Sequence, residues 1–162
     1  MAAPRYQFTS HWQIDAPAHD VFDVLYRVED YPKWWRSFVE VSSTGPNVHD
    51  MTLQSFMRYR IKYTLVNQTT DQRSLILRAR VDGDIRGIVQ WDIDPREGGG
   101  CTAHFTEQVS ARMALLNAFS WALRSVFRLN HSRLMKEGER ALQEYFARRP
   151  KTAPAIGTTT PL

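Results

Sequence analysis

A single cysteine, Cys101, excludes any disulfide within the chain and points to a reducing compartment. The five histidines are scattered and no second cysteine exists, so no ligand spacing suggests zinc, and no metal is expected. No apolar run approaches the roughly 18 residues that a membrane-spanning helix needs. The opening "MAAPRYQF" has no apolar signal-peptide core, and a cytoplasmic location is expected. Also missing are a GxSxG elbow, a Walker loop, a glycine-rich dinucleotide fingerprint, an HExxH pair and a paired-carboxylate spacing. Nothing in the chain demands catalysis, and no cofactor is expected. The excess of one charge sign is small too, with 21 basic against 17 acidic residues. A formal net charge of +4 permits weak attraction to nucleic acid or anionic lipid and demonstrates neither.

Aromatic residues are plentiful. Five Trp, six Tyr and eight Phe in 162 residues are enough to fill a core or to line a pocket. Their placement follows regular patterns. "YQFTSHWQI" alternates, with Tyr6, Phe8, Trp12 and Ile14 on one face, as a half-buried strand should. Pro17 and Asp20 suit the first turn of a helix whose apolar face is Val21, Phe22, Leu25 and Val28. Pro32 ends it, and Trp34-Trp35 belong to a second short helical turn. Strands follow. "SFVEVSS" stops at the turn signal "GPN"; residues 51–66 form two strands with Leu53, Met57, Tyr59, Ile61, Tyr63 and Leu65 on one face. Leu75, Leu77, Ala79 and Val81 align, then "DGD" makes a hairpin turn into Ile85, Val89, Trp91 and Ile93. "CTAHFTEQVS" is the last strand, and alternation leaves its facing undecided. Residues 112–148 have helical periodicity, long enough at about 50 Å to span a sheet. Residues 149–162 are rich in Pro and Thr and are expected to be a flexible tail behind a single domain of residues 1–148.

A meandering antiparallel sheet has one apolar face to cover, and only one long element is available to cover it. A sheet curved around a single helix leaves a gap unless large side chains fill it. The order and three local patterns resemble the START-like (SRPBCC), Bet v 1-like helix-grip superfamily. It contains polyketide cyclases, lipid-transfer domains and coenzyme-Q-binding proteins. "IDAPAHDVFDVLYRVEDYPKWW" (residues 14–35) resembles its "APxxVF…yPxW" opening, and "DGDIRGIVQW" (82–91) its "GDxxGxxxW" hairpin. "LNHSRLMKEGERAL" (129–142) is similar to the "nHxxxMxxGexxL" helix of a polyketide cyclase/dehydrase-like branch. The segment "TGPNVHDM" (44–51) departs from a glycine-rich stretch of the family. The resemblance implies an α+β helix-grip fold: about seven antiparallel strands around a long C-terminal helix, with two short helices after the first strand. It names no reaction, because this fold hosts binders, transporters and enzymes alike.

The terminal helix carries the oddity. Its apolar stripe (Leu116, Phe119, Leu123, Phe127, Leu134, Ala141, Tyr145) runs through Asn130 and brushes His131. Either these are satisfied core polar groups, or the stripe faces a cavity. Asn130 could orient a ligand carbonyl or hydroxyl, and an inward His131 would suit proton transfer. Glu137 falls near the same face, and Gly138 fits close helix–sheet packing. Tyr59 or Tyr63 could assist with a hydroxyl, and Trp34, Trp35 and Trp91 could wall or gate the space. With Phe119, Leu123, Phe127 and Leu134 these make the expected ligand-binding set. An open pocket of at least about 300 Å³ would favour a ligand, and one plugged by Trp and Phe a scaffold.

The opposite sheet face is basic: Arg58, Arg60, Lys62, Arg78, Arg80 and Arg86. A solvated outer face explains it, and so does weak contact with an anionic surface. No aromatic residues interleave there, so specific nucleic-acid binding is not expected. Trp121 on a polar helix face fits a homodimer contact or a packed loop. The expected partner is a hydrophobic small molecule: polyketide, aromatic, isoprenoid or lipid-like. If the protein is an enzyme, the resemblance implies an intramolecular aldol-type cyclisation or dehydration, with the pocket supplying proximity. A non-catalytic lipid or quinone chaperone is the alternative.

Overall fold

The computed structural model describes residues 5–56, 58–111 and 123–149. In chain order these form β1 (Arg5–Ile14), α1 (Ala18–Tyr26), a single 3-10 turn (Val28–Asp30), α2 (Tyr31–Trp34), β2 (Phe38–Gly45), β3 (Val48–Gln54), β4 (Arg60–Asp71), β5 (Ile76–Gly83), β6 (Ile85–Pro95), β7 (Cys101–Ala111) and α3 (Leu123–Ala147). The seven strands make one sheet in the order β1-β7-β6-β5-β4-β3-β2, antiparallel at every pairing. Consecutive strands are hairpin neighbours from β2 to β7, and β1 closes against β7. The expected start of the long helix, Trp121 and the tail from residue 150 lie outside the described residues.

Strand alternation sets the inner face as expected. Trp12, Ile14, Leu53, Ile61, Leu65, Leu77, Ala79, Val81, Trp91 and Ile93 are all buried there. The last strand, undecided from sequence, turns Cys101, Ala103, Phe105, Glu107, Val109 and Ala111 inward. Pro32 lies inside the first turn of α2 rather than between the helices, where its missing N–H would have had no helical partner anyway. At the β5–β6 hairpin, a Cβ on Gly83 would stand 2.5 Å from the Lys62 carbonyl oxygen, so only glycine lets the strands close. Asp84 then ties the hairpin to β4 by accepting from the Lys62 N–H at 2.8 Å.

The long helix grips the β1 edge of the sheet. The Gln13 and Asp15 N–H groups donate to Glu139 Oε1 and Gln143 Oε1 at 2.8 and 3.0 Å, which satisfies an otherwise open strand edge. Its buried stripe is Phe127, Asn130, His131, Met135, Gly138 and Leu142. That stripe is rotated from the expected one, so His131 is central rather than marginal, and Ala141 moves to the side. Gly138 is the contact point. A Cβ there would lie 2.5 Å from Trp35 Cε2 and 2.6 Å from Trp12 Cη2.

Candidate functional site

Among the described residues, three adjoining spaces are bordered by the sheet and α3. The innermost, about 100 Å³, has mostly apolar walls that include Tyr31, Trp35, Tyr63, Trp91, Glu107 and His131. A smaller one of about 60 Å³ adjoins it under Tyr6, Phe8 and Phe127. The third is a wide, polar groove of about 840 Å³ between α3, the α2–β2 connection and the β3–β4 loop. Leu53 and Leu134 line all three, so this leucine pair is their common wall. The inner cavity falls short of the roughly 300 Å³ expected of a ligand pocket. The reason is the aromatic fill: Trp12 packs edge-on against Trp35 and Trp91 with ring centroids 5.1 and 4.6 Å apart.

His131 and Glu107 meet at the boundary of the two inner spaces. His131 Nε2 lies 3.3 Å from Glu107 Oε2, with the side chains 10% and 13% exposed. Nε2 makes no hydrogen bond among the described residues, so the two groups stand close without good donor geometry. The imidazole stacks on Phe8 (centroids 4.4 Å, planes 14° apart), which fixes its plane. Tyr63 shares the inner cavity. Burial, and then the Glu107 charge, push its phenol well above the ordinary range, so it remains a neutral donor. Tyr31 is tied down, its hydroxyl donating to the Leu25 carbonyl at 2.7 Å. Cys101 is inert: burial raises its thiol to about 11 against a smaller pull from Arg96, so almost no thiolate exists at neutral pH.

Asn130 plays a different part. Its Oδ1 accepts from Ser55 Oγ at 2.8 Å and from the Phe56 N–H at 3.3 Å, pinning the β3–β4 loop to α3. Glu137 accepts from Ser37 Oγ at 2.6 Å and lines the groove.

Of the expected lining residues, Trp35, Tyr63 and Trp91 border the inner cavity, and Phe127 the smaller one. Leu134 borders all three spaces and Trp34 only the groove, while Tyr59 packs against the core and lines none of them. Phe119 and Met57 fall outside the described residues, as does the side chain of Leu123. Arg58 requires a correction. It leaves the basic sheet face, because it sits in the β3–β4 loop with φ 64° and lines the groove. Arg60, Arg78 and Arg80 are exposed strand residues, and Arg86 pairs with Asp82 at 2.9 Å. Glu107 was missed by sequence reasoning, although apolar residues at 101, 103, 105, 109 and 111 mark the same face. Among the described residues, no cluster of His, Cys, Asp or Glu is arranged to hold a metal. No described helix is long and apolar enough to cross a membrane.

No curated protein sequence matches this chain. Solved structures do. The Zhui aromatase/cyclase from Streptomyces sp. R1128 superposes with a TM-score of 0.75 at 15% identity, over 95% of this chain and 99% of that one. A START superfamily protein from Mycobacterium smegmatis gives 0.70 at 9% identity, over 86% and 95%. The di-domain ARO/CYC BexL from the BE-7585A biosynthetic pathway gives 0.68 at 16% identity, and the match covers 90% of this chain but 51% of that one. At such identities these likenesses show the START-like helix-grip fold. The sequence itself goes further: residues 5–146 match the model of one family, and the chain belongs to it, the family described as polyketide cyclase / dehydrase and lipid transport.

Proposed function

We propose that the protein binds a flat, hydrophobic small molecule between sheet and α3, in the cytoplasm, and that His131 and Glu107 act on it. The observation that carries this reading is the pair of ionisable side chains set into an otherwise greasy space. Burying two ionisable groups is costly, and a core that only needed filling would be better served by apolar side chains. Family membership supports a hydrophobic ligand, and the aromatase/cyclase neighbours support an aromatic or polyketide-like one. The small cavity admits a guest when the Leu53–Leu134 wall moves and joins the spaces it separates.

Turnover is the finer part of the reading. In an aldol-type cyclisation or dehydration, His131 takes a proton from the carbon next to a carbonyl, and Glu107 balances the imidazolium that results. The neutral Tyr63 phenol donates a hydrogen bond to the carbonyl oxygen as it gains negative charge. In a cyclisation the enolate carbon bonds to a second carbonyl carbon of the same molecule. The C–O π electrons of that carbonyl pass to its oxygen, which takes the proton from His131. In a dehydration the proton goes to the departing hydroxyl, which leaves as water as the C=C bond forms. Cys101 as the single, buried cysteine supports the cytoplasmic placement.

Native mass spectrometry of the protein purified from its source host tests the binding reading. A copurified hydrophobic molecule is the expected result. A chain that comes out bare, and that takes up no hydrophobic probe, overturns it. For turnover, His131→Ala and Glu107→Gln should each abolish conversion of the identified ligand while the fold persists; undiminished rates remove the two side chains from the chemistry, and no conversion by the wild type leaves a non-catalytic carrier.

A further inference from the structure

We infer that the ligand is an amphiphile whose anionic end, a carboxylate or a phosphate ester, lies in the groove outside the cavity. This rests on the ligand-binding reading above and adds the chemical class. Four arginines line the groove: Arg36 beside α2, Arg58 in the β3–β4 loop, and Arg133 and Arg140 on α3. All four are exposed, and among the described residues no carboxylate pairs with any of them. The acids in the same wall are Glu137, engaged by Ser37, and Glu144, which pairs with Arg148 at 3.4 Å. Four guanidinium groups against two carboxylates leave the groove positive.

The groove is also built. Arg58 holds a left-handed backbone that a side-chain-bearing residue adopts only when its surroundings impose it. Those surroundings are visible: the Arg58 N–H donates to the Ser55 carbonyl at 2.9 Å, the Ser55 N–H to the Tyr59 carbonyl at 2.9 Å, and Asn130 anchors the loop from the helix. Arg133 stacks its guanidinium over Phe56 at 4.6 Å from the ring centroid. A buried amide, a strained arginine and a stacked arginine thus fix the two sides of one groove. Guanidinium forks match carboxylate and phosphate oxygens. The groove meets the cavity at Leu53 and Leu134, so a single molecule can lie across that wall, apolar body inside and charged end out.

Displacement of N-phenyl-1-naphthylamine, a neutral fluorescent probe of apolar cavities, tests this with octanol, octanoate and octyl phosphate as competitors. The anions should displace it about tenfold better than octanol, the worth of one charged hydrogen bond. Whichever anion is stronger identifies carboxylate or phosphate. The advantage should vanish in Arg58→Gln/Arg133→Gln and in Arg133→Gln/Arg140→Gln, the second pair lying wholly on exposed helix. It should survive in Arg78→Gln/Arg80→Gln, which removes as much charge elsewhere. Octanol matching the anions, or an anion advantage that persists in both groove variants, overturns the inference while leaving the ligand-binding reading intact. A wild-type protein that fails to bind the probe overturns both.

Discussion

His131 Nε2 and Glu107 Oε2 stand 3.3 Å apart across the gap between α3 and β7, each side chain about nine-tenths withdrawn from water. Removing one partner strands the other. His131→Ala should therefore cost about 3 kcal/mol, most of it the unpaired Glu107 charge. His131→Ala/Glu107→Gln should cost less than the single histidine substitution, because the stranded charge is gone. Urea unfolding of these two variants and of Glu107→Gln alone measures this. Strictly additive losses would show that the two side chains do not interact.

Asn130 gives a second, separable outcome. It accepts hydrogen bonds from Ser55 and Phe56, so Asn130→Ala leaves the loop untied and should cost about 1–2 kcal/mol. Amide exchange at residues 55, 56 and 58 should speed up while β3 and β4 keep their protection. Asn130→Asp retains an acceptor oxygen and should restore most of the protection. Unchanged exchange in the alanine variant would mean the loop holds itself.

The same loop shows where sequence reasoning stops. The strand order, the two short helices and the long helix were legible because Pro17, Pro32 and "GPN" punctuate clear apolar alternation. The β3–β4 break was not placed, because "SFMRY" contains neither glycine nor proline. Its turn is held by Asn130, about seventy-five residues away in the chain. With the break unplaced, alternation carried Arg58 onto the wrong face. Glu107 was hidden because a carboxylate is not expected at an inward position, and because Thr102, His104 and Thr106 blur the alternation around it. The cavity's size was illegible because it depends on how Trp12, Trp35 and Trp91 nest, and no spacing encodes that.

Alkaline pH should destabilise the fold in a defined window. Burial lifts the Cys101 thiol from 9.0 to about 11, and burial with the Glu107 charge lifts Tyr63 above its ordinary 10.0. Both groups hold their protons more tightly folded than unfolded. Their contribution is complete below the unfolded values and is lost as pH rises through the folded ones. Stability should hold to about pH 8 and decline from about pH 9 through 11. Cys101→Ala should delay the onset of that decline, and Ellman's reagent at pH 8 should label the thiol only after unfolding. Rapid labelling of the native protein would contradict the burial argument.

Gly138→Ala sets two effects against each other. Alanine favours a helix interior over glycine by about 1 kcal/mol. Here, however, the added methyl would press to 2.5 Å from Trp35 and 2.6 Å from Trp12, both buried and both packed on other rings. Neither indole is the free end of a flexible chain, so the helix must lift from the sheet. Overpacking of this kind costs about 1–3 kcal/mol and should outweigh the propensity gain. A net loss is therefore expected, read as a lower Tm, together with changed Trp fluorescence and near-ultraviolet circular dichroism. The lifted helix should also widen the space under Leu134, so the variant should take up N-phenyl-1-naphthylamine more readily than the wild type. A stabilised Gly138→Ala with unaltered tryptophan signals would mean that α3 does not rest on those two rings.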